Sequence, residues 1–381
     1  MQTLKIDDLR DKQLIIHGAL DIDQRPGGIS PRRLPDWTRN QVPRFMDVMI
    51  RMPSGVRIIF ETNSTSISIT ALTTNMVTPP AEKKPVVFDL EIDGNITSIS
   101  TLKGNTILLD AHNPEKFELI RGEVTTLTFN NLSSENKRCE LWLPQNAFIE
   151  LHSLTIEDNA SITKPVDGNK PSWLHYGSSI SHCMEALQPS QIWPAVAARI
   201  AHASLHNLGF AGQCHLDPFI ARVIRDSAAD IISLKTGINI INMDSMRERI
   251  FKPMLHGFLD TIREGKPDTP ITLISPIFCP SAENQPGPTI PNGNGKYVTL
   301  AGHQEIREGC MCLTKVRSLI AEVVDVRVDS NLRYFNGLDL FDENDASDLP
   351  DDLHPNPPGY IRMGERFAEK HLNAMVANLM D

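Results

Sequence analysis

Four short patches of the chain carry residue types with chemistry in them. Tyr176-Gly177-Ser178-Ser179-Ile180-Ser181 sets a serine in a tight turn directly after the apolar run Trp173-Leu-His-Tyr176. Such a turn exposes a hydroxyl and brings its own backbone N–H near a helix N-terminus, where negative charge is stabilised. Asp351-Asp352-Leu353-His354-Pro355 supplies an imidazole with a carboxylate three residues before it. A serine nucleophile needs a base to take its proton, and that base needs a carboxylate to fix its tautomer and stabilise its charged form. Asn207-Leu-Gly-Phe-Ala-Gly212 and Gly237-Ile238-Asn239 offer a glycine N–H and a side-chain amide, the kind of donors a tetrahedral oxyanion requires. Taken singly, each patch has a plainer reading: a turn, an acidic loop with a capping Asp, a strand end, a helix cap.

Two kinds of period surround these patches. Up to roughly residue 150 the apolar positions alternate with polar ones, as in Val56, Ile58 and Phe60 or Val87 to Ile92, with turn signals such as Asp93-Gly94-Asn95 between runs. Short strands of that kind predict an antiparallel β-sandwich. The segment 159–172 is polar, contains two prolines and reads as a linker. From Trp173 onward, apolar strands at 173–176, 204–210, 231–234, 271–275 and 323–328 alternate with helices near 194–203, 219–228, 245–264, 306–321 and 358–379. That alternation predicts a parallel sheet covered on both faces, with the working residues at the carboxyl ends of its strands. The expected division is a sandwich over 1–160, a linker over 161–172 and a catalytic domain over 173–381.

In chain order the patches read Ser, Gly, Asn, His. That order resembles the four-block pattern of the SGNH/GDSL hydrolase superfamily over about residues 173–381, with Asp351-x-x-His354-Pro355 as its most specific part. The resemblance implies a flavodoxin-like three-layer α/β/α domain. It implies Ser179 as nucleophile, His354 as base and Asp351 as the orienting carboxylate. The oxyanion hole would comprise the backbone N–H groups of Ser179 and Gly212 and the Asn239 side chain. The first block has Ser178 where the family usually has Asp, and Ile240 follows Asn239 where a second Asp is common; both differences bear on sub-family. The string His175 to Cys183, with a β-domain before it, is similar to the GDSL branch that includes polyketide-tailoring acyltransferases and related bacterial esterases. In that branch the N-terminal domain resembles a carbohydrate-binding jelly roll. The reaction expected is hydrolysis of a carboxylic ester, a short acyl group on a small molecule or carbohydrate, through an acyl-enzyme. The alternatives are acyl transfer to the alcohol of a small-molecule acceptor, and a non-catalytic carbohydrate-binding protein. No metal or cofactor is called for.

Other residues admit two readings each. His182 and Phe210 are candidates for lining the substrate pocket, against a structural histidine and a core phenylalanine; Trp193 and Phe219 are weighed the same way. The acids between Asp339 and Asp352 suit calcium or, more simply, a solvated loop, since their spacing lacks an EF-hand glycine. The long irregular segment Cys279 to Lys296 is expected to border the site. The 381 residues carry a formal charge of −10, which argues against nucleic acid and anionic membrane as partners. The charged first ten residues and the lack of a membrane-length apolar run predict a cytoplasmic protein, unless a leader has been removed. The six scattered cysteines are expected to be reduced thiols.

Overall fold

The computed structural model describes every residue except Ala111, His112, Pro114, Glu115, Asp167, Asn169 and Asp381, and the side chain of Gln304. Two compact units emerge. One comprises Met1–Arg39, Asp47–Asn169 and Leu187–Ser190; the other comprises Asn40–Met46, Lys170–Ala186 and Gln191–Asp381.

The first unit is a pair of β-sheets around one core. The larger sheet has eight strands and runs Phe117–Ile120, Asn105–Leu109, Ile67–Val77, Ala147–Ile156, Ile29–Arg32, Asp21–Gln24, with Gln2–Lys5 and Thr125–Phe129 pairing beside that path. The smaller has six and runs Ile162–Thr163, Arg57–Thr62, Lys137–Trp142, Val86–Ile92, Asn95–Thr101, with Ile15–His17 alongside Arg57–Thr62. Among the described residues these strands pair antiparallel, except that Ile67–Val77 and Asn105–Leu109 run parallel. The alternation seen in the sequence is the inward face: Ile58, Phe60, Phe88 and Leu141 of one sheet meet Ile69, Ala71, Ile149 and Leu151 of the other in one buried cluster. Each such large side chain contributes about 1.5–3 kcal/mol by leaving water. Ile162 joins that core, so the polar segment is in part a strand of the smaller sheet; Asp167 and Asn169 within it lie outside the described residues. Beside this core, the Lys137 ammonium lies 2.6–3.4 Å from four backbone carbonyls, those of Thr62, Ser64, Ser133 and Glu135, among which its three N–H groups are shared. The helices Ile6–Leu9 and Arg44–Ile50 stand in a stretch that the sequence marks as nearly free of helical period.

The second unit holds a five-stranded parallel sheet in the order Ser204–Gly209, Ser172–Gly177, Ile231–Lys235, Ile271–Ile274, Leu332–Phe335. Counted along this unit the order is 2-1-3-4-5, that of flavodoxin-like sheets. In such sheets ligands bind where the order reverses, outside the ends of the first and third strands. Ile231–Lys235 and Ile271–Ile274 are buried throughout, as strands covered on both faces must be.

One strand differs from the sequence-based expectation. Residues 323–328 do not form the fifth strand; the chain is helical over Leu313–Val326 and the strand follows at Leu332–Phe335. Val316, Leu319, Ile320 and Val323 are buried at helical spacing, while Val326 and Val328 are exposed. The apolar stripe therefore overrides the strand preference of the valines. The predicted start of that helix near Ile306 is instead a short 3-10 turn at Gln304–Ile306. The terminal helix runs as Pro357–Phe367, one π-helical turn at Ala368–Leu372, and Asn373–Met380. No helix among the described residues is long and apolar enough to cross a membrane.

Candidate active site

The serine turn is held from below by its neighbours. Ser178 caps the four-residue helix Ser179–His182, and Cys183 ends it in a left-handed conformation with φ 60°. Gly177 must be glycine: a Cβ there would run into the Ser181 hydroxyl and lie 2.7 Å from Ser181 Cβ. From the adjacent strand, Asn207 Nδ2 donates 2.9 Å to the Ser181 carbonyl, while Asn207 Oδ1 accepts from Gly209 N–H at 3.0 Å. His175 lies wholly buried between two hydroxyls, Nδ1 2.7 Å from Ser233 Oγ and Nε2 2.7 Å from Ser181 Oγ. Burial, reinforced by the charge of Lys235, holds its pKa well below the usual histidine value, so it serves this frame as a neutral ring.

Above the turn, Ser179 Oγ lies 2.9 Å from His354 Nε2, and His354 Nδ1 lies 2.7 Å from Asp351 Oδ2. The second Asp351 oxygen accepts the backbone N–H groups of Leu353 and His354 at 3.0 and 2.6 Å. That turn fixes the carboxylate, which in turn directs Nδ1–H toward itself and leaves Nε2 to accept the serine proton. Burial would raise the Asp351 pKa, but the hydrogen bond and charge of His354, with the two backbone donors, hold it below the ordinary value. At His354 burial opposes protonation; the charge of Glu185 and the bond to Asp351 outweigh it and raise the imidazole above its ordinary value.

The Gly and Asn blocks meet at the ends of neighbouring strands. Asn239 Oδ1 accepts the Cys214 N–H at 3.0 Å, so its Nδ2 is the end left for donation. Gly212 has φ 69° and nothing within 4 Å of where a Cβ would stand. Its carbonyl faces Gln213 Nε2 and His215 Nε2 at 2.8 and 3.1 Å, so its N–H points elsewhere. Strand register sets Gly177 beside Gly209 and Tyr176 beside Leu234, which brings the three block-bearing loops to one end of the sheet.

Two substrate-pocket candidates are corrected. His182 and Phe210 are both fully buried, and Phe210 N–H extends the strand ladder to the Gly177 carbonyl at 2.9 Å. Neither presents surface to a substrate; Trp193 and Phe219 are core residues as well. The acids of 339–352 bind within the chain: Asp345 pairs with Arg366 and Arg362, Asp348 with Arg362, and Asp342 caps a 3-10 turn.

Four residues that sequence reasoning does not single out stand at or beside the site. The segment after Cys279 forms a hairpin, Thr289–Pro291 with Tyr297–Thr299. Tyr297 N–H donates 2.8 Å to the Asp351 carbonyl, and its ring meets the His354 ring edge-on at 5.7 Å and 79°. Lys296 Nζ lies 3.0 Å from Asp352 Oδ1. Glu185 and Tyr360 pair with each other, Tyr360 O–H donating to Glu185 Oε2 at 2.8 Å.

The parallel sheet of this order carries a serine, an imidazole and a carboxylate in line, the arrangement that nucleophilic acyl transfer requires. Residues 170–283 match the profile of the GDSL-like lipase/acylhydrolase family, and residues 14–152 match that of the SsfX3 N-terminal domain. Over 98% of its length it is 26% identical to the salicylyl-acyltransferase SsfX3 from a tetracycline biosynthetic pathway, covering 97% of that chain with a TM-score of 0.80. A Bacteroides ovatus protein described as a GDSL-like lipase shares the fold at 20% identity and TM-score 0.69, with 99% and 98% of the two chains covered. A family two carbohydrate esterase from Clostridium thermocellum does so at 14% identity and TM-score 0.60, over 95% and 99%. No curated protein matches the chain in sequence.

Proposed function

We propose that this chain is a serine esterase that hydrolyses a carboxylic ester, a short acyl group on a small molecule or carbohydrate, through an acyl-enzyme on Ser179. The observation that carries the reading is the unbroken line Ser179–His354–Asp351, with contacts of 2.9 and 2.7 Å. His354 takes the Ser179 proton as Oγ attacks the ester carbonyl. The backbone N–H groups of Ser179 and Gly212 and the Asn239 amide receive the oxyanion. His354 then protonates the departing alcohol, and water, deprotonated by the same imidazole, releases the acid. We assign this chemistry to residues 173–381 and treat the sandwich over 1–160 as a separate domain. Six free cysteines support a cytoplasmic site of action.

A second reading keeps every step but the last. If an acceptor alcohol takes the place of water, the enzyme transfers the acyl group. The full-length likeness to a salicylyl-acyltransferase favours this reading. A non-catalytic carbohydrate-binding role has no observation of that kind behind it.

Fluorophosphonate labelling with mass mapping, followed by turnover of p-nitrophenyl acetate and butyrate, tests the proposal. Labelling at Ser179 with steady turnover supports the esterase; a burst followed by slow turnover supports the transferase. Ser179→Ala should lose both labelling and turnover, about 10³-fold or more in kcat. Wild-type rates in that variant sink both readings.

A further inference from the structure

We propose that Glu185, tied to Tyr360, is a positioning residue for His354: the pair sets the spacing between serine turn and base loop and holds a second carboxylate against the imidazole. The inference rests on the catalytic reading of Ser179 and His354 given above.

Two bonds join the same two segments. Ser179 meets His354, and six residues further along each segment Glu185 meets Tyr360, so both pairs are 175 residues apart. Each segment is stiff between its two contacts. On one side, Cys183 N–H returns 2.7 Å to the Ser179 carbonyl and Ala186 N–H returns 3.1 Å to that of Cys183. On the other, Pro355, Pro357 and Pro358 restrict the backbone. Asn356 caps the helix through Gly359 N–H at 2.9 Å, and Tyr360 N–H donates 3.0 Å to the Asn356 carbonyl. A single hydrogen bond between two loops acts as a hinge; a second at fixed spacing removes the rotation, and a reacting pair gains most when its geometry is settled beforehand. Tyr360 is fully buried, so its hydroxyl stays on this carboxylate.

The charge matters as well as the tie. In contact with His354 are Asp351 from its own loop, Ser179 from the serine turn and the Tyr297 ring from the hairpin; the charge of Glu185, itself bonded to Tyr360, also acts on the imidazole, and Lys296 is engaged by Asp352. Of these, Glu185 and Asp351 favour the imidazolium, the form His354 takes when Ser179 attacks.

The test compares full-length Glu185→Gln, Glu185→Asp and Tyr360→Phe with the parent enzyme on p-nitrophenyl acetate across pH, with circular dichroism to establish folding. Glu185→Gln should move the acidic limb of kcat/KM down by about half a pH unit or more, because a carboxylate near a histidine has gone. Its plateau kcat should fall about threefold to tenfold with KM little changed, as for loss of an interaction made in the transition state. Glu185→Asp should restore the limb. Tyr360→Phe should lower kcat and leave the limb in place. An unmoved limb and plateau in folded Glu185→Gln overturn the proposal. So does a Tyr360→Phe enzyme with parental kcat. If Ser179→Ala keeps parental turnover, the catalytic reading itself has failed; labelling of Ser179 in the parent with unaltered Glu185 variants sinks this inference alone.

Discussion

Protonation of His354 decides when Ser179 can be activated. Its pKa is raised above the usual value, against its own burial, by Glu185 and Asp351. A raised base stays protonated to higher pH, so kcat/KM should climb with an acidic limb centred above about 6.5, the ordinary histidine value. Asp351→Asn removes one of those carboxylates and the acceptor that fixes the tautomer. The limb should then move down in pH while kcat falls about 10³- to 10⁴-fold; a pH–rate series on p-nitrophenyl acetate measures both. The Asp351–His354 contact was legible because three residues of spacing close a local turn. His182 and Phe210 are buried, because neither closeness to Ser179 in sequence, as for His182, nor a place at a strand end, as for Phe210, says which way a side chain turns. Glu185 was not visible because the partner that gives it meaning is 175 residues away.

The serine turn is only as exact as the strand ends that carry it. Gly209 ends the neighbouring strand, and a Cβ there would lie 2.6 Å from the backbone nitrogen of His182 and press on Ser181. Backbone cannot yield as a flexible side chain can. Gly209→Ala should therefore cost about 1–3 kcal/mol of stability, as overpacking does, and slow fluorophosphonate labelling of Ser179 through the shifted turn. Urea unfolding and a labelling time course measure the two effects. At this scale the alternation of strands and helices was readable from Trp173 onward, and with it the sheet. Residues 323–328 were not, because four valines in six residues satisfy a strand as well as a helix. Only the packing of Val316, Leu319, Ile320 and Val323 decides between them. Arg44–Ile50 escaped because seven residues give barely two turns of period.

The whole chain carries a formal charge of −10, and a field of that sign disfavours anionic substrates. An ester bearing a carboxylate should gain kcat/KM relative to a neutral one as ionic strength rises from about 0.01 to about 1 M, since the Debye length falls from about 30 to about 3 Å. A ratio that stays flat with salt would mean the site is electrically shielded from the rest of the surface. The sandwich was legible in its alternation, but the parallel pairing of Ile67–Val77 with Asn105–Leu109 was not, because side-chain period is the same for either strand direction. The four carbonyls around Lys137 are a donor set of the sort that elsewhere surrounds a hard metal ion. Here the cation is part of the polypeptide. It needs no supply from solution, a chelator cannot remove it, and it is in place as soon as the strand that bears it has paired.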